Sequence, residues 1–332
     1  MQPPRLIARF QTARAGGVCR CELCPRHCVI QDGEAGFCGH RANDGGELIA
    51  ARYGLIAAAA LDPIEKKPLH HFHPGASIFS IGANGCNLSC KYCQNWHLSE
   101  GRAAEEYAPP ETIVARAGER GSLGLAFTYN EPTVWFEYIL ACAPLLRARG
   151  LKTVLVTNGY LEPGPWDELC RCVDAMNVDV KGDDAFYRRL TGGRLAPVRR
   201  NVEAAWRAGV RVETTNLLVT DANDSEAQLA ELVEWQAGVS PDLPLHLSRY
   251  YPNREWDAPP TPAARLERAA EIARAKLRYV YVGNINIPGA ADTQCPACGA
   301  AAVRRRGYAV DRAGLTADGR CAICGAALPL EP

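Results

Sequence analysis

Fifteen cysteines constrain what this 332-residue chain can fold into. Eleven of them fall into three groups with short, regular spacing, within residues 21–38, 86–93 and 295–324. Because the first residues lack the apolar core of a secretory signal, we expect a cytoplasmic chain, whose thiols stay reduced and form no disulfide scaffold. Reduced cysteines in such groups are typical metal ligands, since a thiolate is a soft, strongly binding donor.

Charge and hydropathy exclude several other classes of protein. Lysine plus arginine and aspartate plus glutamate both number 37, so the formal net charge is zero. This balance argues against binding nucleic acid or an anionic membrane through bulk charge. The longest nearly continuous apolar run, Leu55 to Leu61, is too short to span a bilayer. We therefore expect neither a membrane nor a nucleic-acid partner.

The order of apolar and polar segments predicts three regions. A cysteine-rich metal-binding segment covers residues 1–60, an α/β barrel 61–290, and a second cysteine-paired unit 291–332. In the middle region, strand and helix patterns alternate with short connections, which is typical of a parallel sheet covered by helices. The number of units indicates a partial or complete (β/α) barrel. The predicted strands are Ser77–Ala83, Gly124–Tyr129, Thr153–Thr157, Met176–Val180, Val210–Val219, Leu243–Ser248 and Arg278–Val282.

The central cysteines follow directly after the first predicted strand of the barrel. Their spacing, Cys86-x3-Cys90-x2-Cys93, lets one loop hold three irons of a cubane iron–sulfur cluster. The fourth iron then has no protein ligand, and an open coordination position is a place for chemistry. The alternative is a zinc knuckle that borrows His97 or a fourth cysteine. Placement at the carboxyl end of a barrel strand favours the cluster.

The loop with these cysteines, including Tyr92 before the last one, resembles the radical S-adenosylmethionine (radical SAM) enzymes. Within them the chain is similar to the branch of the pyruvate formate-lyase activating enzymes, and most similar to the AmmeMemoRadiSam system radical SAM enzyme. The resemblance extends from residue 21 to residue 325. Its other stretches are Cys21-Glu-Leu-Cys-Pro-Arg-His-Cys28, Gly36-Phe-Cys38, Asp62-Pro-Ile-Glu-Lys-Lys-Pro68, Tyr129-Asn-Glu-Pro132, Thr157-Asn-Gly159, Asp179-Val-Lys181, Pro244-Leu-His246 and the last four cysteines.

This resemblance implies a fold of radical SAM type and a set of ligands. The three central cysteines would hold a [4Fe-4S] cluster, whose open iron is chelated by the amine and carboxylate of S-adenosylmethionine. Two departures from the family pattern are Tyr129-Asn130, in place of a glycine pair, and Val156, in place of an aspartate at a monovalent-cation site. The implied contacts of S-adenosylmethionine are Tyr92 with the adenine, Glu131 with the amino group, Lys181 with the carboxylate, and Asn158 and His246 with the ribose or amino-acid part, while Asp179 would remain for the cation.

The C-terminal cysteines resemble a zinc ribbon. Cys295-x2-Cys298 and Cys321-x2-Cys324 supply four thiolates in two knuckles, which predicts a closed, structural zinc site. A segment with so little apolar bulk needs such a metal to fold. The adjacent run Arg304-Arg305-Arg306 is interpreted as a solvated face.

The N-terminal cysteines are harder to assign. Cys21-x2-Cys24-x3-Cys28 followed by Cys38 suits zinc or an auxiliary iron–sulfur cluster, and the spacing alone does not choose, although a structural metal is slightly favoured. For the histidines of His70-His71-Phe72-His73 we favour a packing role over a metal triad.

The sequence therefore predicts a radical SAM enzyme. One electron from an external donor would lead to reductive cleavage of S-adenosylmethionine, and a 5′-deoxyadenosyl radical would abstract hydrogen from a substrate that the residues do not identify. The family resemblance implies Memo-type and AMMECR-type protein partners. The alternatives are an activating enzyme for a glycyl-radical enzyme and, in another class, a non-enzymatic zinc-binding adaptor.

Overall fold

An eight-stranded sheet forms the centre of the molecule. The computed structural model describes residues 3–119 and 121–332. Seven strands of the sheet are parallel, and one antiparallel strand lies at an edge. In spatial order the strands are Val280–Gly283, Leu245–Arg249, Arg211–Leu218, Ala175–Asp179, Lys152–Thr157, Gly124–Phe127, Ser77–Gly82 and Ala58–Pro63. Within the described residues the first and last of these do not pair with each other, so the barrel is partial.

The seven parallel strands are those predicted from the sequence, with ends that differ by a few residues. The antiparallel strand Ala58–Pro63, paired from Ala58↔Gly82 to Pro63↔Ser77, was missed. Three consecutive alanines in it carry little β-propensity, because a small side chain packs weakly on a pleated surface. Hydrogen bonds to the neighbouring strand Ser77–Gly82 stabilise the extended conformation that the local sequence does not favour.

Helices pack on one face of this sheet. The described α-helices are Trp96–Ser99, Pro110–Glu119, Phe136–Ala148, Pro163–Cys170, Asp184–Phe186, Leu195–Arg207, Glu226–Val239 and Ala263–Arg274, with 3-10 turns at Ala15–Gly17, Ile64–Lys66 and Pro132–Trp135 and a π-helical turn at Tyr187–Thr191. The longer helices each turn an apolar side toward the sheet, as in Leu195–Arg207, where Val198, Val202 and Ala205 recur at helical spacing and are buried in the main core.

The opposite face of the sheet is covered by the segment after the edge strand. Ile64, Leu69 and Phe72 form a separate apolar cluster with the sheet residues Ile78, Ala126, Val154 and Ala175. These sheet residues alternate with those that face the helices, as the period of two requires. The favoured packing role agrees with the structure for His70 and His71, which are both buried.

Small antiparallel sheets flank the barrel. On the N-terminal side Gln11–Ala13, Cys19–Cys21 and Val29–Ile30 form one sheet and Arg41–Asp44 with Glu47–Ala50 another; Leu55–Ile56 pairs with Glu106–Tyr107, and the C-terminal sheet contains Thr293–Gln294, Ala301–Arg306 and Ala309–Asp311.

The C-terminal unit is attached to the barrel through a buried arginine. The side chain of Arg305 is 1% exposed and forms an ion pair with Glu65 at 3.6 Å. Its guanidinium also donates to the carbonyl of His70 at 2.8 Å. The interpretation of Arg304-Arg305-Arg306 as a solvated face is therefore wrong for the central residue, while its two neighbours are exposed. A strand alternates its side chains between two faces, so one arginine of three turns inward.

Candidate functional site

The loop with the central cysteines is fixed to the barrel at several points. It runs from the strand Ser77–Gly82 to the short helix Trp96–Ser99. The Gly85 N–H donates to the carbonyl of Leu98 at 2.7 Å, and the Ser89 N–H donates to the carbonyl of Thr191 at 2.9 Å. Because these bonds fix the loop at both its start and its middle, the thiols do not depend on a bound metal alone for their position.

Burial determines the chemistry of these thiols. It raises the pKa of Cys86 well above its usual range and that of Cys90 to about 11. A thiol binds a metal as its thiolate, so these thiols lose their protons when a metal binds. The Leu88 N–H and the Ser99 hydroxyl point at Cys86 Sγ and Cys93 Sγ, at 3.4 and 3.8 Å. The donor set therefore fits an iron–sulfur cluster.

Asn130 and Tyr129, which replace the family's glycine pair, have structural roles here. The Asn130 side chain accepts from the Ala83 N–H at 3.1 Å and donates to the Gly85 carbonyl at 2.7 Å, so it holds the start of the cysteine loop. Tyr129 has a φ of 71°, a conformation that glycine adopts without strain. The Tyr129 hydroxyl donates to Asp62 at 2.5 Å, a contact that supports this backbone.

Glu131 lies at the ends of two neighbouring strands and is almost fully buried. Its carboxylate accepts hydrogen bonds from the Thr157 hydroxyl and the Asn158 N–H, both at 2.7 Å. It also accepts from the Thr133 N–H at 2.9 Å, at the start of the turn Pro132–Trp135. Burial raises the pKa of Glu131 and these hydrogen bonds oppose the rise. The predicted contact of Glu131 with an ammonium group remains a prediction.

Asn158 connects this carboxylate with the cysteine loop. Besides its backbone bond to Glu131, its amide donates to Asn87 Oδ1 at 2.8 Å and points at Cys86 Sγ at 3.9 Å. The structure thus brings together Glu131, Asn158 and Cys86, which come from separate segments. This agrees with the expectation that the carboxyl ends of parallel strands meet at one edge of the sheet. Asn87 had no distinguishing signal in the sequence.

Lys181 and Asp179 lie on the same side of one strand end, as their alternation predicts. Lys181 Nζ lies 2.8 Å from Asp179 Oδ2. Burial alone would lower the pKa of Lys181, but the Asp179 carboxylate holds it well above its usual range. A permanent positive charge therefore lies beside the cysteine loop, where an anionic ligand group would be stabilised.

The Tyr92 ring is buried in an apolar cluster with Phe186, Leu190, Val219 and Tyr250. Its centroid lies 5.5 Å from that of Phe186. The other members of the cluster come from the helix Asp184–Phe186, the π-helical turn after it and segments after two strands. The predicted contact with adenine remains a prediction.

His246 has a partner that the sequence analysis missed. Its Nε2 lies 2.6 Å from a carboxylate oxygen of Glu213, which is fully buried on the adjacent strand. The His246 ring packs on those of His70 and Tyr281. Desolvation would raise the pKa of Glu213, but the hydrogen bond from His246 holds it below its usual value. The available signal for Glu213 was an acidic residue in the middle of a predicted strand. The role of His246 toward S-adenosylmethionine remains a prediction.

The C-terminal cysteines have the geometry of a site for one ion. The sulfurs of Cys295, Cys298, Cys321 and Cys324 all lie within 4.8 Å of one another. Two of the pairs are separated by 3.7 Å, close to the ~3.8 Å that four Zn–S bonds of ~2.3 Å give in a tetrahedron. Each knuckle closes on a glycine with φ of 74°, the left-handed conformation that glycine tolerates best.

The N-terminal cysteines lie around one small cavity, which Cys21, Cys24, Cys28 and Cys38 all line. Burial raises the pKa of Cys21 to about 11 and that of Cys24 to about 12. These thiols, like those of the central loop, lose their protons on binding a metal.

Comparisons with known proteins identify the family. The family model described as Radical SAM superfamily matches residues 80–235, which include the cysteine loop and Glu131. The chain is 40% identical over 313 residues to the uncharacterized protein MJ0808 of Methanocaldococcus jannaschii, covering 92% of this chain and 93% of that one. The chain belongs to the radical SAM superfamily. The predicted fold and the general cofactor assignment, a [4Fe-4S] cluster with S-adenosylmethionine, are thereby confirmed.

More distant similarities agree with this placement of the radical SAM chain. It is 27% identical to the pyruvate formate-lyase-activating enzyme of Clostridium pasteurianum over 154 residues, 45% of this chain and 64% of that protein. The crystal structure of Streptococcus suis SuiB bound to S-adenosylmethionine has a TM-score of 0.50 at 17% identity, and the match covers 67% of this chain and 53% of that chain. This structural likeness shows the fold alone. In residues 3–119 and 121–332 no helix combines the length and apolar character needed to cross a bilayer.

Proposed function

We propose that the protein reductively cleaves S-adenosylmethionine at a [4Fe-4S] cluster held by Cys86, Cys90 and Cys93. The observation that carries the proposal is the loop with these three thiols, fixed at the carboxyl end of the first parallel strand. Bound there, the cluster and S-adenosylmethionine would supply a 5′-deoxyadenosyl radical that abstracts a hydrogen atom from a substrate. The chain's own residues position these groups and exclude water.

The charges around the loop suit the methionine part of S-adenosylmethionine, which is a zwitterion. Lys181 would bind the carboxylate, and Glu131 would bind the ammonium group. Asn158 and His246 would contact the ribose or amino-acid part, and Tyr92 would border the adenine. Asp179, whose side chain is 37% exposed, would complete a monovalent-cation site or orient Lys181.

We further propose that the enzyme acts in an AmmeMemoRadiSam-type system in the cytoplasm. The support is the set of sequence stretches from residue 21 to residue 325 that resemble the radical SAM enzyme of that system. Its partners would be an external one-electron donor and proteins of the Memo and AMMECR types. The four C-terminal cysteines would hold structural zinc.

A second candidate is activation of a glycyl-radical enzyme, favoured by the similarity to the activating enzyme of Clostridium pasteurianum. The two candidates differ in their substrate. The reconstituted protein is incubated with S-adenosylmethionine, a reductant and either the Memo-type and AMMECR-type proteins or a glycyl-radical enzyme. Stimulated release of 5′-deoxyadenosine by the first pair supports the main proposal. A glycyl-radical signal in electron paramagnetic resonance (EPR) with the second would instead support activation.

A further inference from the structure

The two flanking cysteine groups differ in the space between their sulfurs. In the C-terminal group all four sulfurs lie within 4.8 Å of one another, and among the described residues no other group of three or more potential metal ligands is so compact. The N-terminal sulfurs do not belong to such a compact set, although all four of these cysteines line one cavity. The central thiols, which the radical SAM superfamily uses for a multi-iron cluster, are likewise outside this compact set. Sulfurs that are spaced more widely than those of the C-terminal group fit a metal cluster better than a single ion.

The walls of the N-terminal cavity are suited to an iron–sulfur cluster. Leu23, Ile30, Val134 and Leu161 line it together with the four cysteines, so the space is mostly apolar. The guanidinium of Arg26 lies 3.5 Å above the ring of Phe37 at the same wall, and Phe37 is about half exposed. A cluster here would be shielded from bulk water on most sides and lie near the surface on one.

We propose that Cys21, Cys24, Cys28 and Cys38 hold a second iron–sulfur cluster of two or four irons, and that it passes electrons to the central cluster. Four thiolates complete the coordination of such a cluster. No iron is then left open for a substrate, which leaves electron transfer as its chemistry. The role as a relay rests on the proposed function, whereas the metal assignment does not.

The two cysteine groups are adjacent in the structure. Gly85 packs so closely on the carbonyl of Cys38 that an added Cβ would lie 2.1 Å from that oxygen. Cys38 and Cys86 line the same cleft. Asn87 lines the N-terminal cavity, and its side chain accepts from Asn158, which points at Cys86 Sγ. One or two residues therefore separate the two sites.

The relay moves one electron at a time. A protein donor of the ferredoxin or flavodoxin class is oxidised by one electron, the N-terminal cluster accepts this electron, and the central cluster takes it over. No covalent bond forms or breaks in these two transfers, and the N-terminal cluster returns to its starting state.

Metal analysis of the full chain tests the assignment. Wild-type protein, reconstituted with iron and sulfide without oxygen, should contain about six to eight irons and about one zinc per chain. The variant Cys24→Ser/Cys28→Ser should keep about four irons, and the triple variant Cys86→Ala/Cys90→Ala/Cys93→Ala the remaining two to four. Cys172→Ser, a partly buried cysteine outside all three groups, is the control and should keep the full iron content.

Spectroscopy of the wild-type protein does not depend on the variants folding. Mössbauer spectra should show more cluster iron than one cubane accounts for. In the reduced protein the EPR signals of the two clusters should be broadened by their magnetic interaction, and both cysteine variants should lose this broadening. About four irons with about two zincs in the wild type would overturn the cluster. Two clusters without magnetic interaction would overturn the relay. Iron retained in the triple variant with no cleavage of S-adenosylmethionine by the wild type would contradict only the proposed function.

Discussion

Replacing Arg305 with methionine should destabilise the protein strongly although the residue lies in a run of three arginines. Its guanidinium donates to the carbonyls of His70 and Ala291 and to the Thr293 hydroxyl, at 2.8, 3.0 and 2.9 Å. It also lies beside Glu65, whose side chain is 2% exposed. Methionine keeps most of the volume but leaves a buried carboxylate and several acceptors without their cation. Breaking a buried ion pair in this way costs about 3–5 kcal/mol.

The measurement is the free energy of unfolding of the metal-loaded protein in urea, followed by circular dichroism. Arg304→Met is the matched control, because Arg304 is the exposed neighbour and should change stability by less than about 0.5 kcal/mol. Adding Glu65→Gln to Arg305→Met should recover part of the loss, since the uncompensated charge is then absent. Equal effects of Arg305→Met and Arg304→Met would refute the buried ion pair as the attachment of the C-terminal unit.

The remaining predictions concern ligand binding, zinc and pH. Glu131→Gln and Lys181→Met should each weaken binding of S-adenosylmethionine about 10- to 100-fold in titration calorimetry, because each loses a charge-assisted hydrogen bond of about 1.5–3 kcal/mol. The iron content of both variants should stay constant. Unchanged affinity in both would remove these residues from the site. Cys295→Ser should release about one zinc per chain and unfold residues 291–332 with the iron retained, which metal analysis and limited proteolysis measure; zinc retained by this variant would contradict the ribbon. Burial lowers the pKa of His71 to about 4. Between a pH of about 6.5 and about 4 the unfolded chain therefore binds a proton that the folded chain does not. The free energy of unfolding should fall by up to about 3 kcal/mol as the pH decreases through this range. His71→Gln should flatten this part of the stability curve, and an unchanged slope would show that other groups cause it.

The sequence was sufficient for the parallel strands, because each is a compact β-branched or apolar run between turn signals. It was also sufficient to place Asp179 and Lys181 on the same side of one strand, since side chains two residues apart in a strand face the same way. The ion pair between them was not predicted. The edge strand Ala58–Pro63 escaped prediction because its alanines form a strand only through pairing with Ser77–Gly82.

Contacts between distant segments account for the other differences. Glu213 and His246 meet across adjacent strands, and neither residue signals the other in the sequence. Arg305 is buried because the C-terminal unit folds back onto the segment before the first parallel strand. The spacing of Cys21 and Cys24 did not choose between one ion and a cluster, because the space between sulfurs depends on how the loop and Cys38 fold together.

The most direct test of the account is the fate of S-adenosylmethionine on the reconstituted enzyme under reducing conditions without oxygen. Chromatography and mass spectrometry should detect 5′-deoxyadenosine and methionine from the wild-type protein. The variant Cys86→Ala/Cys90→Ala/Cys93→Ala should form neither product while keeping its C-terminal zinc. Cleavage by this variant at the wild-type rate would contradict the assignment of the central loop as the site of the cluster.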